Sequence, residues 1–145
     1  MDPRTVRFGF TPAPVHVRTA RLVAAAVAQR AGLSGETLSE VRQAAGEACS
    51  RAVARHRRHG ITQLVRMKLS IGESFVTEVA DFAPVSSSSL RTSVTDDTHL
   101  TEDMPDEDAL TEEVALALLA GLVEDLEVIV APGGDGTTIR MTWPR

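Results

Sequence analysis

A chain of 145 residues with 43% hydrophobic content holds enough apolar material for one domain with its own core, yet aromatics are only 3% and tyrosine is absent. The core is therefore expected to be built from Ala, Val and Leu, which favours helices over a sandwich of sheets. One cysteine excludes an internal disulfide, and the opening MDPRTVRFGF has no apolar run long enough for a signal peptide or membrane span, so a cytoplasmic location is expected. The formal charge of −5 is unevenly spread: residues 1–60 carry +6, 61–81 carry −1, 82–113 carry −8 and the remainder −2. Such asymmetry points to charged partner surfaces, or to a solvated basic helix beside a flexible acidic loop.

In chain order, TVRFGF alternates Val6, Phe8 and Phe10 with polar or small residues and reads as an edge strand that ends at TPAP. A first helix follows, with Val15, Leu22, Val23, Ala26 and Val27 on its apolar side and Gly32 where a C-terminal glycine belongs. Ser34 is placed to cap a second helix, whose apolar set is Leu38, Val41, Ala45, Ala48, Cys49 and Ala52, and Gly60 ends it. Cys49 on that face is expected to be a buried, inert thiol. His56 and His59, beside Arg57 and Arg58, read as a basic helix end facing the C-terminal dipole, since no further Cys or His completes a metal set.

From Thr62 to Asp81 the alternation, interrupted at Ile71-Gly72-Glu73-Ser74, predicts a hairpin. Residues 82–112, with the four-serine run Ser86 to Ser89 and clustered acids, are too polar to pack and are expected to form a mobile acidic lid, or to hold a phosphoacceptor. EEVALALLAGLV predicts a third helix, and LEVIV, the turn APGGDG and TTIRMTW predict a closing hairpin, with Trp143 covering the core or the sheet edge. The order β-α-α-β-β-loop-α-β-β gives a single α/β domain over 1–145: a two-layer sandwich, with a mixed, mainly antiparallel sheet covered on one face by three helices. No internal repeat, Walker-type loop or GxGxxG is present.

The stretch EACSRAVARH places Glu47 four residues before Arg51. Three readings fit: an exposed helical pair worth about 0.2 to 0.5 kcal/mol, an arginine that binds phosphate without metal, or an altered catalytic site.

This stretch, the order of elements and several further strings resemble the histidine-kinase-like ATPase (Bergerat) fold shared by gyrase, sensor kinases and the small anti-sigma factor serine kinases of bacterial partner-switching systems. The resemblance covers nearly the whole chain. It implies that Glu47 stands at the general base and Arg51 at the magnesium-binding Asn of the family's Glu-x-x-x-Asn motif. DFAPV matches the Asp-x-Gly-x-Gly box, with Asp81 at the adenine-reading position and Ala83 and Val85 replacing glycines. EVALAL stands at the Gly-x-Gly-Leu box before the last helix, with Glu113 and Ala115 at glycine positions, and GTTIRMTW keeps Gly136 and Thr137 of the last strand.

Chemistry qualifies the resemblance. Mg2+ wants oxygen ligands, whereas Arg51 offers only donors, and a guanidinium about 4 Å from a divalent ion is opposed by roughly 8 kcal/mol at an effective dielectric near 20. Side chains at the glycine positions crowd the approach to a nucleotide. No Mg2+ is therefore expected, and ATP binding is expected to be weak or absent, with Glu47 a vestigial base. The implied function is a regulator that binds a sigma factor and/or an anti-sigma factor antagonist, with no direct contact to nucleic acid or membrane. In that family the partners dock around the first two helices, here the surface bearing Arg18, Arg21, Arg42 and Arg55, and near the lid, and the scaffold often dimerises. The alternative is an active ATP-dependent serine kinase acting on an antagonist.

Overall fold

The computed structural model describes residues 4–85 and 106–145. Strands β1 (Thr5–Phe10), β2 (Val65–Ile71), β3 (Ser74–Pro84), β4 (Asp125–Val130) and β5 (Asp135–Pro144) form one sheet in the order β1-β2-β3-β5-β4. Helices α1 (Val17–Arg30), α2 (Gly35–His59) and α3 (Glu107–Leu122) supply the second layer, and a short 3-10 turn at Pro14–His16 leads into α1. The two-layer α/β class stands, and every pairing between the described strands is antiparallel rather than mixed. None of the described helices is long and apolar enough to cross a membrane.

Two element boundaries fall inside the stretch expected to be a lid. β3 continues to Pro84, and α3 begins at Glu107, where the Asp106 side chain accepts a hydrogen bond from the Ala109 amide at 2.6 Å and so caps the helix. Residues 86–105, on which the mobile-lid expectation mainly falls, lie outside the described residues.

The core follows from residue size. α1 meets α2 through Ala20, Ala24 and Ala28 on one side and Ala44, Ala45 and Ala48 on the other, all of them fully buried, so that the two backbones come close. The larger side chains, Met67, Leu69, Phe75, Ile139 and Met141, come from the strands and fill the space under the helices. Of the apolar set expected on α1, Val27 is buried, whereas Val15 and Leu22 are 73% and 56% exposed, because the alanine stripe and not the bulkier residues faces α2. On α2 the expected set is buried from Val41 to Ala52, and Cys49 is sealed in, its thiol pushed up to about 12 by burial. Gly60 adopts the left-handed conformation (φ 66°) that ends α2 where the sequence indicates. Trp143 lies in the core beside Phe75, its Nε1 donating to Glu40 at 2.7 Å.

One polar atom interrupts this core. Thr77 is fully buried on β3 and its hydroxyl has no hydrogen-bond partner among the described residues. A buried hydroxyl without a partner costs about 1 to 3 kcal/mol. Thr77→Val, which keeps the shape, is therefore expected to raise the unfolding free energy by about 1 kcal/mol or more, read as a higher midpoint in urea at an unchanged slope.

Candidate functional site

The helix periodicity of α2 decides what happens at the Glu-x-x-x-Arg stretch. Ala48, Arg51, Ala52 and Arg55 recur at i, i+3, i+4 and i+7, so both arginines share the buried stripe with the alanines. Arg51 is 6% exposed and Arg55 likewise. The expectation of an exposed Glu47–Arg51 pair is thus overturned, and so is the placing of Arg55 on a solvent-facing basic surface. Arginine is kept out of a core unless paired, and here the sheet provides the pairs.

Asp81 lies on the helix-facing side of β3, directly opposite Thr137 on β5, and is 3% exposed. The Thr137 hydroxyl donates to Asp81 Oδ2 in a very short hydrogen bond and accepts from Arg51 Nη1 at 2.8 Å. Arg51 Nη1 is also 3.5 Å from the same carboxylate oxygen. The other oxygen, Oδ1, accepts from the Ala83 amide at 3.0 Å and lies 3.0 Å from Arg55 Nε. A carboxylate offers about four acceptor directions; two of those of Asp81 accept hydrogen bonds, from Thr137 and Ala83, and the guanidiniums of Arg51 and Arg55 stand against it as ion pairs. Burial and the adjacent Arg55 guanidinium pull Arg51 below the ordinary arginine range, against the opposing pull of Asp81 and Glu112.

Arg55 reaches further. Its Nη2 donates to the Ala83 carbonyl at 2.8 Å and its Nη1 to Glu112 Oε1 at 3.2 Å, so one guanidinium ties α2 to the end of β3 and to α3. Glu112 also accepts from Arg58 Nη1 at 3.2 Å. Arg57–Asp108 at 3.8 Å and Arg58–Asp106 at 3.9 Å extend the clamp between the helices, but these are exposed or half-exposed pairs of small energetic weight.

His56 forms a second tie. It is fully buried, not part of an exposed basic helix end as its neighbours suggested; its Nε2 accepts from the Phe82 amide at 2.9 Å and its Nδ1 lies 3.0 Å from the Gln63 carbonyl. Those two contacts fix the neutral ring with the proton on Nδ1. Burial above all, and Arg55 to a lesser degree, lower its pKa, against the Gln63 carbonyl and Asp81. The unfolded chain therefore binds the proton more readily as pH falls below about 6.5, and the stability His56 contributes, present in full above that value, is lost as pH drops through the lower folded value. Urea unfolding at pH 7.5 and at pH 5 is expected to show this loss, and His56→Gln is expected to reduce the difference.

The other expected site residues are dispersed. Glu47 does not join Asp81: it lines a cleft between α1 and α2 with Arg21, Arg42 and Ser50, and has no ion-pair or hydrogen-bond partner among the described residues. Gly46 opens that cleft, since a Cβ there would come within 2.7 Å of Arg21 Cδ. Val85 is held by its amide, which donates to the Gly134 carbonyl at 2.8 Å. Glu113 and Ala115 lie in the middle of α3, not in a loop before it; Glu113 is exposed and Ala115 is buried. Beside the Glu47 cleft, a groove of about 640 Å³ runs between α1, α2 and the start of α3, with Arg18, Arg21, Arg42 and Arg57 around Val17 and Leu22. No group of three or more metal-ligating side chains is present among the described residues.

Sequence reasoning thus located Asp81 and Thr137, which the sheet register brings together, and missed Arg55, His56 and Glu112 as members of the same cluster. The buried stripe of α2 was the available signal for Arg55. For Glu112 the local sequence carries none. No curated protein matches the chain. A model of the histidine kinase-like ATPase domain matches residues 10–143, and with the five-stranded sheet, the three helices and the Asp81–Thr137 pair in place, the chain belongs to that family.

Proposed function

We propose that this protein is a regulatory binding module of the anti-sigma type, holding a sigma factor and/or an anti-sigma factor antagonist, with ATP binding and kinase chemistry reduced or lost. The observation that carries the reading is the engagement of Asp81 by Arg51, Arg55 and Thr137 inside the fold. A carboxylate placed to read adenine must offer a free oxygen, and here a nucleotide would have to displace buried, charge-assisted contacts. The donor set does not fit Mg2+ either, because Arg51 presents N–H groups and positive charge where an oxygen ligand is required. Glu47 lies in a separate cleft, away from Asp81. Binding to a protein needs none of these groups, and the basic groove on α1 and α2 offers a surface for it.

Two measurements test this. Calorimetric titration of the purified protein with ATP and Mg2+ is expected to give no saturable heat at micromolar protein. Capture on the immobilised protein from a bacterial lysate is expected to recover a sigma factor or an antagonist. Micromolar, magnesium-dependent ATP binding with phosphate transfer to a serine of an antagonist would establish the alternative, an active kinase. Recovery of neither class of partner would count heavily against the regulatory reading.

A further inference from the structure

The β4 edge of the sheet carries an unsatisfied surface. β4 is the last strand of the sheet and pairs only with β5 among the described residues, so alternate N–H and C=O groups along its outer edge are left without a strand partner. Val128, Ile129 and Val130 are 44%, 43% and 44% exposed, an apolar β-branched run on an open edge. The register places Val128 beside Ile139 and Val130 beside Thr137, so both valines lie on the helix-facing side of the sheet, yet they are not covered as Ile139 is.

α3 carries an exposed apolar stripe of its own. Leu110, Val114 and Leu118 recur at i, i+4 and i+8 and are 45 to 50% exposed. Helical geometry sets this stripe opposite Leu116 and Glu112, and Glu112 is the residue that grips Arg55 and Arg58 of α2. The stripe therefore faces away from α2. The charge here is mainly acidic: Glu113, Glu124, Asp125 and Glu127 are exposed, with Arg140 of β5 beside Glu127, whereas Asp106, Asp108 and Glu112 are taken up by the arginines of α2.

We infer that the β4 edge is a docking surface for a basic, extended segment of a protein partner, which adds as a sixth strand beside β4. An added strand satisfies the edge backbone, and its alternating side chains meet two different environments. Those on the helix side pack on Val128 and Val130, and those on the other side meet Glu127 and Asp125. The complementary pattern is alternating apolar and cationic residues. A second copy paired β4 to β4 fits poorly, because it brings Asp125 and Glu127 against the same acidic residues. The surface begins next to the Asp81 cluster, since Val130 lies beside Thr137, but the inference does not depend on whether nucleotide binds.

A capped, fluorescently labelled ten-residue peptide alternating Lys and Val is the probe, with Glu-Val and Lys-Gly peptides of the same length as controls. Anisotropy at low salt is expected to show binding of the Lys-Val peptide at least about tenfold tighter than either control, and hydrogen exchange is expected to show new protection at Leu126 to Val130. Val128→Lys with Val130→Lys is expected to weaken binding by about tenfold, as is Glu124→Lys with Glu127→Lys, while Glu73→Lys, exposed in the turn between β2 and β3, leaves it unchanged. The exchange measurement uses the unaltered protein and so stands even where a variant folds poorly. Equal binding of the Lys-Val and Lys-Gly peptides, or no protection in β4, would overturn the inference. So would self-association of the free chain that Val128→Lys with Val130→Lys abolishes, because the occupant would then be a second copy.

Discussion

Asp81→Ala is expected to lower the unfolding free energy by about 3 to 5 kcal/mol, one of the largest losses available to a single substitution in this chain. The reason lies in what is left behind. Asp81 is the counter-charge for Arg51 and Arg55, and neither guanidinium can reach water without leaving the α2 stripe. Removing one member of a buried ionic cluster strands the others in a low dielectric, which costs far more than the cluster as a whole contributes. Arg55 keeps Glu112 and two carbonyls, so the penalty should fall mainly on Arg51, whose other contact is the Thr137 hydroxyl. Adding Arg51→Met to Asp81→Ala should therefore recover about 1 to 2 kcal/mol, although two native residues are then missing. Urea unfolding of the single and double variants measures this, and a double variant weaker than the sum of its parts would show that Arg51 is not held by Asp81.

The same cluster shows where sequence reading reached its limit. The strands were legible because their alternation is local, and Asp81 and Thr137 were each singled out by a family resemblance carried by short strings, though not as a pair. The destination of Arg51 was not legible. Its nearest sequence neighbour of opposite charge on the same helix flank is Glu47, and i,i+4 spacing suggests a pair, but its hydrogen-bond partner Thr137 is 86 positions away. A local rule worth a few tenths of a kcal/mol lost to a tertiary contact worth several times more. Arg55 was assigned to the surface by residue type alone, whereas its spacing from Ala48 and Ala52 already placed it on the buried stripe. The Gly-x-Gly-Leu correspondence failed for a related reason: EVALAL is made of good helix formers, and with Asp106 as a cap the helix simply starts earlier.

Gly136→Ala is the second substitution expected to be severe, with a loss of more than about 3 kcal/mol. Gly136 has φ 125°, a backbone conformation that L side chains rarely adopt, and a Cβ built on it would overlap the Asp81 carbonyl oxygen and press on Phe82 Cα at 3.1 Å. The neighbour is backbone in the middle of a sheet, which cannot yield as a flexible side chain would. This close approach is what brings β5 in register with β3 so that Thr137 meets Asp81. Thus Asp81, Gly136 and Thr137 each have a structural task here, and their presence does not require adenine. Thr138→Ala, one residue on and on the open face of the sheet, is expected to cost well under 1 kcal/mol and serves as the control. If Gly136→Ala instead unfolds near the parent midpoint, the strands have room to separate at this point, and the retained motif would then call for a ligand to explain it.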